Sequence, residues 1–468
     1  MNFPRLMIAG VQSGVGKTTV TLGLLSALKR RGIRVQPFKV GPDYIDTGLH
    51  YHAAGLKSHN LDSWMGSEEV VKSIFIKNAQ EAELAIIEGV MGLFDGAKGE
   101  RLKGSSAHVA LTLGVPVVLV VNVKGMARSC VALVKGYKEY VQGLNLKGVI
   151  LNNAGSAYYK TVLTAALQEE LGVKVLGCLS RNNKITMPER HLGLLPAEEN
   201  SELNYAINLM ADLVEQEVDI DGLLEIAKNA GPMEFKWTGQ KLYKNVTIGV
   251  AKDQAFTFYY QDSLDYLQEL GAKLVYFSPL KDSSIPDVDG LYIGGGFPEI
   301  FIKELSENQA MINSLHNADK RSLPIFAECG GFMYLTKKVV DFEGNSWPGV
   351  GLIPAQVKMT NRLAALGYVK ATALKKSIFA EVGDEVKGHE FHYSAMSGIG
   401  EGDSAFSLVG GKGADLRRDG YAKENLMASY VHLHLRSNPK IALNFINICW
   451  EYKERRHIPC KAGECPQT

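Results

Sequence analysis

A glycine-rich run near the start of the chain has the residue types of a phosphate-binding loop. The run GVQSGVGKTT occupies residues 10–19 and lies between a strand-like and a helix-like segment, the context that such a loop requires. Glycines let successive backbone N–H groups converge on a phosphate, and the start of the helix adds partial positive charge. A glycine-rich turn without a nucleotide is the weaker alternative, because Gly-Lys-Thr-Thr opens the helix. The residues predicted to bind nucleotide are Gly14, Gly16, Lys17, Thr18 and Thr19, with the Thr18 hydroxyl also predicted to bind Mg²⁺.

Two further segments are predicted to place carboxylates beside this loop. The segment that contains Lys39, Asp43 and Asp46 follows the second apolar strand. Glu88 ends the segment LAIIE, at the position of a Walker B acid. Ligands bind at the carboxyl ends of strands in sheets of this kind. Neighbouring carboxylates raise each other's pKa unless a cation neutralises them, so we predict that Asp43, Asp46 and Glu88 bind Mg²⁺. Loop capping is the alternative role for Asp43, Asp46 and Asp95.

A cysteine in the second half of the chain has the setting of a nucleophile. Cys329 lies in AECGG, directly after the apolar segment LPIF, where a tight turn can hold a thiol exposed. A thiol with an ordinary pKa of about 8.5 is only slightly ionised at neutral pH and needs a neighbouring base. His432 and His434 in YVHLHL are candidate bases, and strand alternation would point both to the same face. The spacing therefore leaves the choice between them open.

Glycines near Cys329 are predicted to stabilise an oxyanion. Gly294, Gly295 and Gly296 follow the strand-like segment LYI, and Gly330 follows the thiol. A backbone N–H group aimed at the charge of a tetrahedral intermediate is worth about 3 kcal/mol. We predict Gly295, Gly296 and Gly330 as the donors.

The other cysteines do not have the spacing of a disulfide framework. Six cysteines are scattered over 468 residues, which is more typical of plain thiols. Cys460 and Cys465 could bind a metal together with His457, but three ligands in a terminal segment are fewer than the usual four. Plain thiols are the preferred interpretation.

Strand-like and helix-like segments alternate along both halves of the chain. Apolar runs such as LMIAG, VQPFKV, LAIIEGV and VPVVLVVNV are separated by helix-like segments, and a second series begins at VTIGVA. This pattern predicts the α/β class, with a doubly wound and mainly parallel sheet covered by helices on both faces. We predict a first domain at residues 1–212, a linker at 213–245, a second α/β domain at 246–452 and a tail at 453–468.

Composition restricts the partners of the chain. It has 51 Lys and Arg residues against 50 Asp and Glu residues, a net charge of +1, so no global field attracts nucleic acid or anionic lipid. The start MNFPRLMIAG lacks the features of a signal peptide, and no apolar run reaches the roughly 18 residues needed to span a membrane. We expect a cytoplasmic protein with no nucleic-acid or membrane partner.

The order of the motifs resembles that of one enzyme family. The first loop has one residue more than the common form and resembles the loop of dethiobiotin synthetase and its relatives. The segments YIGGGFPEIF, AECGGFMYL and SYVHLHLRSN resemble the glutamine amidotransferase domain of the cobyrinic and cobyric acid synthases. With KVGPDYID, HNLDSWM, EGVMGLFDG and PERHLGL, nearly the whole chain resembles the cobyrinic acid a,c-diamide synthase family. The resemblance implies a P-loop synthetase domain followed by a class I-type glutamine amidotransferase domain.

The resemblance implies a reaction and its partners. ATP with Mg²⁺ is expected to activate the c and then the a acetate side chain of cobyrinic acid as an acyl phosphate. Ammonia released from L-glutamine at Cys329, with His432 as the base, then forms the amide. Many glutamine amidotransferases carry Glu two residues after this histidine, where this chain has His434, so we expect a Cys–His dyad. The sequence leaves the oligomeric state open, with a homodimer as one option.

Other roles are carried over from the family by motif. Lys17, Thr18 and Lys39 are expected at the phosphates, and Asp95 is expected to act on the phosphorylated intermediate. Asn152, at the end of the strand-like segment GVILNN, resembles an asparagine that contacts adenine in related synthetases. The residues expected to place the tetrapyrrole are Tyr44, Arg190 and His191.

Three rival functions follow from the same motifs. Ni-sirohydrochlorin a,c-diamide synthase and hydrogenobyrinic acid a,c-diamide synthase amidate other tetrapyrroles. A partition-type switch ATPase is the rival from a different class, but it would carry lysine at the position of Gln12 and no amidotransferase domain. The segment Gly155–Tyr159 also departs from a Ser-x-x-His run of many relatives, with no effect that the sequence defines.

Overall fold

A computed structural model of the chain describes residues 2–181, 201–233, 244–411 and 416–457, with the backbone alone at 157, 158 and 457. The chain divides into two compact units, residues 1–237 and 238–468. Four residues singled out above, Arg190, His191, Cys460 and Cys465, lie outside the described residues, as does the side chain of His457. The predicted α/β class is confirmed in both units.

The first unit contains a seven-stranded parallel sheet within the described residues, in the order β3-β2-β4-β1-β5-β6-β7. Side chains of β1 alternate between two apolar cores, with Met7 on one face of the sheet and Ile8 on the other. Burial on both faces explains the nearly continuous apolar runs in the sequence. The strands are β1 (Arg5–Gly10), β2 (Val35–Val40), β3 (His59–Leu61), β4 (Leu84–Glu88), β5 (Val117–Asn122), β6 (Leu146–Ala154) and β7 (Lys174–Ser180).

Helices cover both faces of this sheet. They are α1 (Lys17–Arg30), α2 (Ile45–Ala54), α3 (Glu68–Ala79), α4 (Ser106–Leu113), α5 (Ser129–Glu139), α6 (Ala157–Leu171), α7 (Ser201–Glu217) and α8 (Ile220–Lys228). The range in which a linker is expected, residues 213–245, contains the end of α7 and all of α8. Ile220, Leu223 and Ala227 of α8 are buried in the same core as α1, because these positions form one apolar face at helical spacing.

The second unit is built around a six-stranded sheet in the order β10-β8-β11-β13-β23-β22. Its first five strands are parallel and β22 is antiparallel to β23. The strands are β8 (Val246–Ala251), β9 (Phe256–Phe258), β10 (Ala272–Phe277), β11 (Gly290–Ile293), β12 (Gly295–Gly296), β13 (Ile325–Glu328), β14 (Thr336–Val340), β15 (Ser346–Pro348), β16 (Ile353–Met359), β17 (Ala365–Ala373), β18 (Glu385–His392), β19 (Ser394–Ser397), β20 (Phe406–Gly410), β21 (Arg417–Asp419), β22 (Tyr421–Lys423), β23 (Leu426–Ser429) and β24 (His432–Leu433).

Smaller sheets and five helices of the described residues complete this unit. The smaller sheets have the orders β12-β9, β15-β14-β16-β19 and β21-β20-β17-β18-β24. The helices are α9 (Gln261–Glu269), α10 (Ile302–Glu307), α11 (Gln309–Lys320), α12 (Gly330–Leu335) and α13 (Pro439–His457). Across the described ranges, none of the helices combines the length and apolar character that crossing a membrane requires.

Candidate active sites

The phosphate-binding motif forms the turn between β1, which ends at Gly10, and α1, which begins at Lys17. Gly14 and Gly16 have φ angles of 76° and 99°, a left-handed region that favours glycine. A Cβ atom at Gly16 would lie 2.2 Å from the side-chain nitrogen of Asn152. The turn therefore requires glycine at residue 16 both for its backbone angle and for the space.

The Lys17 side chain folds back along this turn. Its ammonium donates hydrogen bonds to the carbonyl oxygens of Gln12, at 3.0 Å, and Met91. Burial, and then the neighbouring charge of Lys39, lower the pKa of Lys17. The Lys17 ammonium therefore lies at the start of α1, held by backbone oxygens. The start of a helix also favours an anion.

Glu88 is the centre of a buried cluster at the end of β4. One carboxylate oxygen accepts hydrogen bonds from the Thr18 hydroxyl at 2.7 Å and from Lys39 Nζ at 2.8 Å. The other lies 2.7 Å from Nε2 of His50. Burial alone would raise the pKa of Glu88, but Lys39 and His50 outweigh it and hold the pKa below its ordinary value. Glu88 is therefore an ionised carboxylate in a fully buried position.

Lys39 joins Glu88 to a second acid. Its ammonium lies 2.5 Å from Asp46 Oδ2, and the attraction of Asp46 and Glu88 outweighs burial and raises the pKa of Lys39. Burial raises the pKa of Asp46 to about 6. The hydroxyl and carboxylate oxygens of Thr18, Glu88 and Asp46 are the hard donors that Mg²⁺ prefers, and Mg²⁺ commonly uses only one or two carboxylates with phosphate oxygens. The donor set thus fits this ion, although the described residues contain no cluster of three or more His, Cys, Asp or Glu arranged as a metal site.

Asp43 and Asp95 make local backbone contacts. Asp43 Oδ1 accepts hydrogen bonds from the amides of Ile45 and Asp46, both at 2.8 Å, which caps the first turn of α2. Asp95 Oδ2 accepts one from the Gly92 amide at 2.9 Å. Both contacts match the loop-capping role weighed above, and each uses one carboxylate oxygen.

Asn152 and Tyr44 also have defined backbone surroundings. The Asn152 amide donates to the Val15 carbonyl oxygen at 2.8 Å, while its oxygen accepts from the Asn153 amide at 2.9 Å. Asn152 therefore ties the end of β6 to the phosphate-binding turn. Tyr44 immediately precedes α2, beside the acids of the cluster.

Sequence reasoning missed His50, which is fully buried beside Glu88. Its second ring nitrogen lies 3.0 Å from the Ser58 hydroxyl, so the ring is held between Ser58 and Glu88. His50 follows Asp46 by four residues on α2, the spacing that places two side chains on the same face. That spacing was the available signal.

Cys329 lies at the sharp turn between β13 and α12. Its φ and ψ angles are 46° and −102°, a strained conformation for a residue other than glycine. Its backbone amide donates to the Ser429 carbonyl oxygen at 2.8 Å, and its carbonyl oxygen accepts from the Met333 amide at 2.9 Å. These bonds from β23 and α12 fix the backbone that carries the thiol.

Gly295 lies between the thiol and one of the candidate bases. A Cβ atom at Gly295 would lie 2.6 Å from Cε1 of His432 and 3.4 Å from Cβ of Cys329. Cys329 and His432 therefore border the same small space, which glycine leaves open. A Cβ at Gly330 would lie 3.0 Å from the Gly296 amide nitrogen, so the predicted oxyanion glycines are neighbours as well.

Burial sets the resting protonation of this pair. Burial, and then Glu299, raise the pKa of the Cys329 thiol. Burial, together with His389 and His392, lowers the pKa of His432 to about 3. The resting pair is therefore a neutral thiol beside a neutral imidazole, and both shifts favour this neutral pair over a thiolate–imidazolium pair.

His434 lies in different surroundings from His432, contrary to the expectation that strand alternation gives both the same face. The strand β24 ends at Leu433, and His434 precedes a 3₁₀ turn at Leu435–Ser437. Its Nδ1 lies 3.0 Å from the Ser437 hydroxyl, and its Nε2 lies 3.9 Å from Asp262. The expectation was wrong because β24 ends at Leu433, so strand alternation does not extend from His432 to His434.

Glu328 is a second residue that the sequence did not single out. It is buried next to Cys329, and its carboxylate accepts hydrogen bonds from the Tyr292 hydroxyl at 2.6 Å and the Leu433 amide at 2.7 Å. Burial raises its pKa to about 8. Because Leu433 follows His432, Glu328 links the segment of the thiol to the segment of the base.

Two family models together match most of the chain. Residues 6–195 match the CobQ/CobB/MinD/ParA nucleotide binding domain, and residues 247–440 match the CobB/CobQ-like glutamine amidotransferase domain. A cobyrinate a,c-diamide synthase of Dehalococcoides mccartyi strain CBDB1 is 42% identical over 461 residues, which are 97% of this chain and 99% of that protein. The chain belongs to the cobyrinate a,c-diamide synthase family. Its members are glutamine-dependent amidotransferases of the ligase class.

A second relative supports the same family assignment. The cobyrinate a,c-diamide synthase of Archaeoglobus fulgidus is 44% identical over 449 residues, which are 95% of this chain and 97% of that protein. Among solved structures, PurLQS from Thermotoga maritima aligns with 43% of this chain and 98% of its own, at 15% identity and a TM-score of 0.33. The family assignment depends on the sequence relatives and the two domain models.

Substitution of the two histidines is expected to separate their roles. His432→Ala removes the imidazole beside Cys329 and should lower glutamate release from glutamine at least 100-fold, the usual size of a general-base contribution. His434→Ala removes contacts with Ser437 and should retain most of the activity. Glutaminase assays of both variants, with ammonia-dependent synthesis as the control for folding, measure the difference. The opposite ranking would show that His434 is the base.

Glu328 is expected to act by positioning. Glu328→Ala leaves the Leu433 amide and the Tyr292 hydroxyl without this buried acceptor, and each such loss costs about 1–3 kcal/mol. We expect glutaminase activity to fall at least 10-fold, while ammonia-dependent synthesis continues. Glu328→Gln should restore part of it, because its amide oxygen can accept from Leu433. Equal loss in both variants would indicate that the carboxylate itself takes part in the chemistry.

Proposed function

We propose that this chain uses ATP and Mg²⁺ to convert the a and c acetate side chains of cobyrinate into amides, with ammonia that it releases from L-glutamine. The observation that carries the proposal is the cluster in which Glu88 binds both Thr18 and Lys39 beside the phosphate-binding turn. The activity after which the relatives are named supplies the substrate and the positions amidated. Release of ammonia from glutamine is assigned to Cys329 and His432, which both border the position of Gly295.

The synthetase reaction needs a carboxylate to lose an oxygen that ammonia cannot displace unaided. In the proposed first step the acetate oxygen attacks the γ-phosphorus of ATP, the bond to the bridging oxygen breaks and ADP leaves. Ammonia then attacks the acyl carbon, phosphate leaves and nitrogen loses a proton. Mg²⁺, when bound, neutralises phosphate charge and acts as a Lewis acid. Thr18, Asp46 and Glu88 would hold it, while Lys17 and Lys39 would stabilise the transferring phosphoryl oxygens.

In the proposed glutaminase reaction the thiol and the imidazole of Cys329 and His432 start as a neutral pair. His432 takes the proton of the Cys329 thiol, and the thiolate adds to the amide carbon of glutamine. Backbone amides of Gly295, Gly296 and Gly330 would bind the oxyanion. The carbon–nitrogen bond then breaks as His432 returns the proton to the leaving ammonia. Water hydrolyses the thioester, which releases glutamate and restores the thiol.

Other assignments carried over from the family are part of the same proposal. Asp95 would act on the phosphorylated intermediate and Tyr44 would help to place the corrin, with Asn152 near adenine. Arg190 and His191 would also contact the corrin. We also propose the domain limits given above and a cytoplasmic location. A homodimer is proposed as well, and light scattering would test it.

Product mass is the test of the proposed substrate. The purified chain would be incubated with ATP, Mg²⁺, glutamine and, separately, cobyrinate, Ni-sirohydrochlorin or hydrogenobyrinate. We expect a doubly amidated product from cobyrinate with the highest kcat/KM. A higher kcat/KM with either other tetrapyrrole would reassign the substrate, and absence of amidation with all three would refute the proposal.

A further inference from the structure

The segment between β4 and α4, residues 89–105, forms a loop that is fixed beside the nucleotide site. The Leu93 amide, near the start of the loop, donates to the carbonyl oxygen of Gly10 in the phosphate-binding turn at 2.8 Å. The Leu93 carbonyl oxygen accepts from the amide of Ala107, in the first turn of α4, also at 2.8 Å. Both ends of the loop are therefore bonded to the same place.

A hydrogen bond closes the outer loop, which we define as residues 97–103. The Ala97 amide donates to the Lys103 carbonyl oxygen at 2.9 Å, and the adjacent Gly104 amide donates to the Ser63 hydroxyl at 3.2 Å. Asp95, which is proposed to act on the phosphorylated intermediate, lies two residues before Ala97. Because a chain spans at most roughly 3.6 Å per residue, the outer loop starts within about 7 Å of Asp95.

The outer loop carries a surplus of positive charge. Its three cations, Lys98, Arg101 and Lys103, stand against one acid, Glu100. Lys98 and Arg101 are exposed, and Lys103 is half-buried. Within the part of the chain that the structure describes, none of the three cations takes part in an ion pair. Exposed cations without a counterion attract an anionic ligand and orient it as it approaches.

An aromatic cluster lies at the inner end of the same loop. Phe94 stacks on Tyr137 of α5 with the ring centroids 5.2 Å apart, and it contacts Tyr140 edge-on at 4.8 Å. The Tyr137 hydroxyl donates to the Val11 carbonyl oxygen of the phosphate-binding turn at 2.5 Å. The Tyr140 side chain is 64% exposed. The cluster therefore offers an open aromatic ring beside the nucleotide site, which an apolar ligand surface can cover.

We infer that Lys98, Arg101 and Lys103 bind those carboxylates of the tetrapyrrole that are not being amidated, while its apolar macrocycle contacts Tyr140. The inference rests on the proposed function, which places one acetate of the tetrapyrrole at the γ-phosphate of ATP. Cobyrinate carries several acetate and propionate groups around a methyl-bearing ring, so the others stay anionic while one reacts. A small anion would use the cations alone, and an uncharged ring would use the aromatic cluster alone. An apolar macrocycle with carboxylates on its rim uses both.

Removal of the two exposed charges tests the carboxylate contacts, with ammonia as the nitrogen source. In Lys98→Gln/Arg101→Gln, KM for cobyrinate should rise about 10-fold, because exposed ion pairs are individually weak and two are lost. KM for ATP should not change, and the dependence of KM for cobyrinate on ionic strength should weaken. The matched control is Lys57→Gln/Lys147→Gln, which removes two exposed lysines near the amino ends of β3 and β6, at the opposite edge of the sheet. It should keep the wild-type KM.

Two further variants separate charge from shape. Lys98→Arg/Arg101→Lys keeps both charges and should keep KM for cobyrinate within about twofold of wild type, because attraction between exposed charges depends on their sign and distance. Tyr140→Ala should raise the same KM about threefold through loss of an aromatic contact. The dependence of that KM on ionic strength should stay as in the wild type, because no charge is removed.

The outcomes that contradict the inference are distinct. An unchanged KM for cobyrinate in the charge-removing variant would overturn it, and a raised KM for ATP would assign the cations to the nucleotide instead. Equal losses in the charge-removing and charge-keeping variants would show that the two side chains support the loop. An unchanged KM in Tyr140→Ala would overturn the aromatic contact. Each of these results leaves amidation by the wild-type chain intact. If the wild-type chain amidates no tetrapyrrole, the proposed function fails and the inference fails with it.

Discussion

Replacement of Cys329 with alanine is expected to abolish glutamine-dependent synthesis and to leave ammonia-dependent synthesis at its wild-type rate. The thiol has one task in the proposed reaction, the release of nitrogen from glutamine. Without it no thioester forms, and enzymes that lose such a nucleophile fall by about 10⁶-fold in kcat. Glutamate release should drop below detection. Product formation measured with glutamine and with high ammonia, in parallel, gives the comparison.

Cys449 offers a matched control for this substitution. It is a buried thiol in α13 of the same unit, and burial raises its pKa as it does that of Cys329. Cys449→Ala removes the same atoms from another part of the core and should keep both activities. Loss of ammonia-dependent synthesis in a folded Cys329→Ala variant would place Cys329 in the synthetase chemistry instead.

The parts of the fold that could be predicted are those determined by residues adjacent in the sequence. The two series of apolar strands indicated α/β units, because a strand covered on both faces must be apolar throughout. The phosphate-binding turn and the Cys329 turn were found from glycines at fixed positions, since a left-handed or close-packed backbone leaves few other choices. Gly16 illustrates this point, because both its φ angle of 99° and the nearby Asn152 exclude a side chain.

Residues that act through distant partners could not be predicted in this way. Glu328 contacts the Leu433 amide across 105 positions, and His50 contacts Glu88 across 38. The spacing of His50 from Asp46 places the two side chains on one face of α2, but nothing in the local sequence specifies Glu88 as the partner of His50 or Leu433 as the partner of Glu328. The separation of His432 from His434 depends on the end of β24 at Leu433, which periodicity does not record. Long-range pairing therefore determines which of several suitable residues joins a site.

Glu88→Gln is expected to lower synthesis at least 100-fold with either nitrogen source. The carboxylate is fully buried, and the amide keeps its shape but removes the charge that balances Lys39. It also removes a charged ligand for Mg²⁺, whose stabilisation of transferring phosphoryl oxygens amounts to several kcal/mol, and each 1.4 kcal/mol corresponds to about tenfold in rate. The defect precedes nitrogen transfer, so ammonia should not restore activity as it does in Cys329→Ala. Glutamate release should continue.

Nucleotide binding provides the second measurement for Glu88. Mg²⁺ should tighten ATP binding to the wild-type chain, and this dependence should be lost in Glu88→Gln and weakened in Asp46→Asn. Glu81→Gln is the matched control, because that side chain is 81% exposed and pairs only with Arg34 among the contacts of the described residues. A Glu88→Gln variant that synthesises product at a near-normal rate at low Mg²⁺ would show that Glu88 is not a metal ligand. Its buried contacts with Thr18, Lys39 and His50 would then be structural, and the metal would depend on Asp46 and the phosphates.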